Sequence, residues 1–371
     1  MAKQILYFSR PLTPILDEAG KAIVFQLALN ISSPVTLLIF IDYSTPLPDH
    51  IKTIRINKDS SCFAGGNARK FCAKRAVFLE LFKAFGYDYV HYFFTPNPSN
   101  SLMALIYALT HNCQYFISLP TITENTLKKY LVRKFICQAK GIVVYSQQTK
   151  RLVDPLNANV HTIPPLINKN KFHIVSSAQK MKLRQKLALK ERFTIIFPGD
   201  YALLKDINDL KYIVSQCCQQ NSEIQFLFAI RINEGALKAE KWEEELKNSF
   251  RNLNVQFINT VSNIEQYLQA SDCCMYYAHQ MTRKIDLPIA LLEAFAVGLP
   301  VLINPVGNLE EIFQDKEKLS AHNKEDFIRE ILRLSMDPTY YAKARTTAQE
   351  LGAFYTSNNI VKQYEHLYNS N

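Results

Sequence analysis

The stretch KIDLPIALLEAFAVGLPVLINPVG, residues 284–307, holds one carboxylate, Glu293, in an otherwise apolar, helix-like run between Pro288 and Gly298. Proline suits the first helical position, and Asp286 just ahead suits a cap. Such a helix would present free N–H groups and the positive end of its dipole at its start, a setting for a diphosphate. A carboxylate about a turn and a half further in could accept both hydroxyls of a ribose. Flanked by LL and AFA it would be costly without a partner; the competing reading is an ion-paired or solvated helix glutamate. Arg231 follows the apolar run IQFLFAI (224–230), where a guanidinium suits bidentate phosphate binding, against the alternative of a surface arginine. Gly20 could let the backbone approach a phosphate or sugar, with the charge of Lys21 beside it; a plain turn glycine competes.

These residues need elements to position them. At 371 residues the chain exceeds what one core usually serves, so two domains are expected. Short apolar runs alternate with helical patterns: KQILYF (3–8), VTLLIFI (35–41), DYVHYFF (88–94), CQYFISL (113–119) and GIVVYS (141–146) read as strands, with helices near 18–30, 69–85, 99–111 and 124–139. NVHTIPPLIN (159–168) reads as the last strand before a polar, lysine-rich connector. The pattern then restarts with FTIIFPG (193–199), IQFLFAI, VQFIN (255–259), CCMYY (273–277) and PVLIN (300–304). Strands alternating with helices predict an α/β chain of two Rossmann-like, doubly wound parallel sheets. We assign residues 1–175 to the first domain and 190–354 to the second, with a final helix, 355–371, crossing back to the first. Ligands of such sheets bind at the carboxyl ends of strands, so a cleft between the halves is expected.

Several stretches carry a resemblance. FPGDYALLK (197–205), VQFINTVSNIEQYLQASDCCMYYA (255–278), DLPIALLEAFAVGLPVL (286–302), VGNLEEI (306–312) and AFYTSNNIVKQYEHLY (353–368) occur in the order of the nucleotide-sugar domain of family 4 glycosyltransferases. PLTPILDEAGKA (11–22) and IPPLINKNKF (163–172) are similar to that family's first loop and domain exit. The chain thus resembles these retaining enzymes of the GT-B fold, most strongly over 255–312. The resemblance implies that Glu293 binds the ribose of the donor and that Lys205 neutralises the donor diphosphate as the sugar–phosphate bond breaks. It puts Gly199 where the family has a Gly-Arg pair, and Gly307 and Asn308 where it has Gly-Gly near the donor base or ribose.

Three departures stand out. The family's first glutamate, eight positions before the second, is here Ile285; Asp286 would take its place by a one-residue shift. The arginine expected after Gly199 is Asp200, which Arg231 or Lys284 would have to offset. No histidine follows CQYFISL, and His91 holds the comparable early-strand position, where a satisfied core histidine is the competing reading.

The implied activity is retaining transfer of a sugar, of the hexosyl kind, from a nucleotide diphosphate sugar to a hydroxyl of a glycan or lipid-linked acceptor. Cationic side chains and helix dipoles suffice for it, so no cofactor and no metal is expected. The rival is a catalytically weak GT-B protein that binds sugar nucleotides or partners without turnover. A dehydrogenase is disfavoured because no GxGxxG follows the first strand of either half.

The net charge of +10 lies wholly in the first 170 residues, which hold 19 Lys and Arg against 9 Asp and Glu. Arg69, Lys70, Lys74 and Arg75 precede a phenylalanine stripe, and Lys128, Lys129, Arg133 and Lys134 lie on another helix. Such helices can lie on an anionic membrane surface, or the charges can simply be solvated. No nucleic-acid module is recognisable. No apolar run reaches about 18 residues, and the opening MAKQILYFSRPLTP reads as a strand rather than a leader, so a cytoplasmic protein is expected. Eight scattered cysteines without CxxC read as buried free thiols of a reducing compartment.

Overall fold

A computed structural model describes residues 3–13, 19–59, 61, 67–198, 201–230, 237–258, 263–281 and 284–369, with the side chains of all but 67–74, 202 and 237. The chain divides into two units, Met1–Leu166 with Ser357–Asn371, and Ile167–Thr356.

Unit 1 is built on seven strands: β1 (Ile5–Leu12), β2 (Val35–Phe40), β3 (Ile51–Ile56), β4 (Tyr89–Phe93), β5 (Gln114–Leu119), β6 (Gly141–Val144) and β7 (Val160–Thr162). They pair in the order β3-β2-β1-β4-β5-β6-β7, every neighbour parallel. Every residue of β2, β4 and β6 is buried, which is what a parallel strand covered on both faces requires. Helices α1 (Ala19–Asn30), α2 (Asn67–Phe82), α3 (Pro98–Thr110), α4 (Glu124–Leu127), α5 (Tyr130–Cys137) and α6 (Gln147–Val153) connect them. Two local expectations change. The helix expected over 124–139 is two, because Lys129 takes an extended backbone at φ −77°, ψ 122°. The strand expected over 159–168 stops at Thr162, since Pro164 and Pro165 have no N–H to continue a ladder.

Unit 2 carries five strands, β8 (Phe193–Phe197), β9 (Ile224–Ala229), β10 (Val255–Ile258), β11 (Cys273–Tyr276) and β12 (Val301–Ile303), in the order β10-β9-β8-β11-β12 and again all parallel. Its helices are α7 (Ser177–Lys186), α8 (Asn208–Gln220), α9 (Leu237–Ser249), α10 (Ile264–Ala270), α11 (Ile289–Ala296), α12 (Lys324–Met336) and α13 (Pro338–Tyr355). The last helix, α14 (Asn358–Asn369), belongs to unit 1, where Tyr364, Leu367 and Tyr368 are buried.

The polar connector is in part a helix. Ser176 and Gln179 form a reciprocal capping box that starts α7. Its inner face is fixed through Asp272, which accepts from Lys180 Nζ at 2.7 Å, from Arg184 and from the Thr194 N–H at 2.7 Å. The adjacent cysteines 217–218 and 273–274 are buried and free, and burial pushes their thiols up.

α11 ends at Gly298, whose φ of +72° only glycine takes without strain. α13 crosses it at Gly352, where a Cβ would stand 2.1 Å from the Phe295 carbonyl oxygen. Gly352→Ala therefore sets about 1 kcal/mol of helix propensity against an overpacking cost of about 1–3 kcal/mol or more. The clash is with backbone, so the cost dominates. The expected result is a lower melting temperature, by about 2–4 °C per net kcal/mol; a rise on scanning calorimetry would refute the close approach.

Candidate functional site

In unit 2 the chain runs from β8 outward to β9 and β10, then returns to β11 on the other side of β8. Loops leaving the carboxyl ends of β8 and β11 therefore diverge, which opens the crevice where doubly wound sheets take ligands. The expected donor residues of unit 2 fall on the loops and the helix that follow β8, β11 and β12. Lys205 is exposed on the loop after a short 3-10 turn, Tyr201–Leu203. Lys284 and Asp286 lie between β11 and α11, Lys284 half-buried and Asp286 buried. Gly307 takes φ +61° after β12, beside Met281, and Asn308 next to it is half-buried. Gly199, Asp200 and Arg231 lie outside the described residues.

The start of α11 differs from expectation by one position. Pro288 is the cap residue, at φ −60° and ψ 120°, and the helix begins at Ile289. Asp286 is thus two residues before the cap, and among the described residues no side-chain cap hydrogen bond is made at Pro288. The Leu291 N–H turns back to the Pro288 carbonyl at 3.0 Å, which leaves the N–H groups of Ile289 and Ala290 at the open end.

Glu293 lies one turn inside this helix, half-buried, and among the described residues no hydrogen bond reaches its carboxylate. Burial pushes its carboxyl up to about 8; the nearby Lys171 ammonium offsets part of this, and Glu265 adds to it. Lys171 is committed to Glu265, at 3.3 Å. The site so holds a carboxyl with acceptor capacity in place and little to satisfy it.

A second group here escaped the sequence reading. His279 follows β11; its Nδ1 accepts from the Lys205 N–H at 3.2 Å, and its Nε2 faces Asp209 Oδ2 at 3.4 Å. The Tyr277 hydroxyl donates to the same carboxylate at 2.6 Å. The available signal was one of only eight histidines placed just past a strand's carboxyl end.

The candidates of unit 1 do not form a comparable cluster. Gly20 lies in the first turn of α1, with nothing within 4 Å of where a Cβ would stand. Lys21 is buried, and its Nζ donates to Thr13 Oγ1 at 3.1 Å. His91 is a core residue: fully buried in β4, it pairs through Nδ1 with Tyr368 Oη at 2.6 Å and through Nε2 with Ser118 Oγ at 2.9 Å, and it stacks on Phe93. Burial holds it well below the usual histidine range. Both ring nitrogens are occupied, so it offers nothing to an acceptor. Among the described residues no group of three His, Cys, Asp or Glu is placed to hold a metal ion.

The buried carboxyl has a thermodynamic consequence. Between its usual value of 4.5 and about 8, folded Glu293 keeps a proton that the unfolded chain releases. Stability therefore falls as pH rises through that window. Glu293→Gln removes the dependence, so the variant should exceed wild type at pH 8 by about 1 kcal/mol or more, with the gap closing toward pH 4.5. Urea unfolding followed at both pH values checks this, and a variant weaker than wild type at pH 8 would contradict it.

Known proteins share this fold. Residues 179–351 match the family model described as glycosyl transferases group 1. Among curated proteins none matches the sequence. Several solved structures share the fold. HepE of Anabaena, determined with UDP and glucose, superposes with a TM-score of 0.73 at 14% identity, covering 100% of both chains. Sucrose-phosphate synthase of Thermosynechococcus elongatus gives 0.77 at 16% identity over 99% of this chain and 98% of its own. The E. coli trehalose-6-phosphate protein bound with UDP-2-fluoro glucose gives 0.73 at 9% identity over 99% of each. Residues 179–351 thus resemble the glycosyl transferases group 1 model, within a chain that has the two-unit, doubly wound GT-B fold.

Proposed function

We propose that the protein is a retaining glycosyltransferase of the family 4 kind that moves a sugar, of the hexosyl kind, from a nucleotide diphosphate sugar to a hydroxyl of a glycan or lipid-linked acceptor. The observation that carries this reading is Glu293, an under-satisfied carboxyl inside an uncapped helix that starts at the switch point of unit 2. The ribose hydroxyls of a donor would supply the hydrogen bonds it lacks, and the N–H groups of Ile289 and Ala290 would face the diphosphate. Lys205, exposed on the β8 loop, would meet the charge that grows on the leaving diphosphate. Asp286 and Lys284 flank Ile285 at the point where a sugar contact and a phosphate counter-charge are required. Arg231, Gly199, Gly307 and Asn308 complete the proposed donor site. Bound UDP in HepE and bound UDP-2-fluoro glucose in the E. coli protein support a nucleotide-sugar ligand. This chemistry requires no metal or other cofactor from the residues named.

The acceptor side has its own support. On α3, Leu102, Ile106 and Leu109 are exposed at helical spacing, Leu109 at 82%. α5 packs beside α3 and exposes Tyr130, Arg133 and Lys134, with Lys128 and Lys129 just before it. An apolar stripe beside a basic face suits the interface of an anionic bilayer, which would place a lipid-linked acceptor within reach. Among the described residues no helix is long and apolar enough to cross a membrane.

Three measurements test these readings. A panel of nucleotide sugars is titrated calorimetrically, and donor hydrolysis or transfer is followed. Above about pH 8, where the Glu293 carboxyl is ionised, Glu293→Gln should weaken the preferred donor about 10–100-fold through loss of a charged hydrogen-bond acceptor. Lys205→Ala should cut turnover about 100-fold while binding changes little. Binding without turnover by wild type on any acceptor favours the non-catalytic rival, and no binding at all sinks both. Separately, the protein should sediment with phosphatidylglycerol vesicles and not with phosphatidylcholine ones. Lys128→Glu with Lys129→Glu should abolish this; unchanged sedimentation would remove the proposed surface.

A further inference from the structure

The loop after β11 is pinned on two sides. The Asn304 side chain, just beyond β12, accepts from the Ala278 N–H at 2.9 Å and donates to the Ala278 carbonyl at 2.6 Å. The His279 N–H donates to the Leu203 carbonyl at 2.8 Å. The imidazole next to these anchors has its position fixed by backbone, and it in turn holds the backbone of Lys205.

The chemistry of that contact dictates a protonation state. A backbone amide can only donate, so Nδ1 of His279 carries a lone pair and the ring proton is on Nε2, toward Asp209. Despite partial burial, which raises it, the Tyr277 hydroxyl, the Lys324 ammonium and His279 itself hold the Asp209 carboxyl below the usual range. Asp209 is thus an anion across the range of histidine titration and selects the Nε2–H tautomer. The other charged groups of this neighbourhood are Lys205 and Asp206 on the β8 loop, Lys324 at 3.6 Å from Asp209, and Glu325 beside it on α12.

We propose that His279 is a positioning residue that holds the Lys205 loop in place only as the neutral imidazole, so that its protonation releases Lys205 and sets the acid limb of sugar transfer. On protonation Nδ1 gains a hydrogen, which then faces the Lys205 N–H. Donor meets donor, and the tie breaks. His279 takes no part in the bond changes, since both ring nitrogens are engaged within the protein. The inference rests on the role proposed for Lys205, but the tie itself can be measured without turnover.

The test compares wild type, His279→Asn and His279→Ala. Asparagine places an amide oxygen near the position of Nδ1 and does not titrate. Turnover of the preferred nucleotide sugar should fall at least about tenfold in His279→Ala, chiefly in kcat, with the donor KM little changed. His279→Asn should keep wild-type turnover within about threefold at neutral pH and lose the wild-type decline on acidification. The second readout is backbone hydrogen exchange in peptides spanning Leu203–Asp206, corrected for intrinsic rates. Protection should be present in wild type at neutral pH, lost in His279→Ala, lost in wild type at acid pH, and retained in His279→Asn at both. Equal protection in all three proteins at both pH values overturns the proposal, as does a His279→Ala enzyme with the wild-type rate and pH profile. An inactive wild type that shows the expected exchange pattern indicts the glycosyltransferase reading and leaves the tie standing.

Discussion

In unit 2, β8 and β11 lie side by side, yet the chain leaves β8 toward one edge of the sheet and β11 toward the other. Two loops that part in opposite directions cannot fill the space above the strands they leave. Because every strand is parallel, all the loops that follow carboxyl ends gather on this same side. Every described residue of the proposed donor site follows β8, β11 or β12. The geometry is a property of topology; the chemistry comes from which side chains the loops happen to carry.

One of those choices is costly to the free protein. Glu293 is placed where burial opposes its charge and where the cation that offsets this, Lys171, already answers Glu265. A fold selected for stability alone would put an apolar residue there, as at Leu292 and Ala294 on either side. A ligand whose hydroxyls donate to the carboxylate relieves that cost on binding, so part of the affinity comes from ending an unfavourable state. Gly298 and Gly352 serve the same helix: one lets it stop sharply, the other lets α13 press against its end.

Much of this was legible in the sequence, for identifiable reasons. Buried parallel strands are short apolar runs, so KQILYF, DYVHYFF and IQFLFAI could be read as strands to within a few residues. EAFAVGLPVL gave the helix, its glycine stop and the strand behind it, because the local signals agree. α7 was missed because its face is polar: it is held by Asp272 rather than by apolar burial, and only the Ser176–Gln179 box betrays it. His91 could be placed on a strand, but its partners are Ser118 and Tyr368, the latter 277 residues away, and no local pattern contains them. His279 was overlooked for the same reason: its meaning depends on Leu203, Lys205 and Asp209, which a different loop supplies.

That dependence binds the site together. Leu203 and Lys205 on the β8 loop are tied to His279 on the β11 loop, and Asn304 beyond β12 clamps Ala278 in the same segment. That segment runs on through Lys284, Asp286 and Pro288 into α11, which bears Glu293. The residue suited to grip a ribose and the residue suited to meet a departing diphosphate are therefore on one connected framework. Electrostatic stabilisation of a transition state is effective only when the charge is already in place before the bond breaks. Flexible loops would pay for that order at each turnover. Here hydrogen bonds between loops supply it in advance, and one of them has an acceptor that can be protonated.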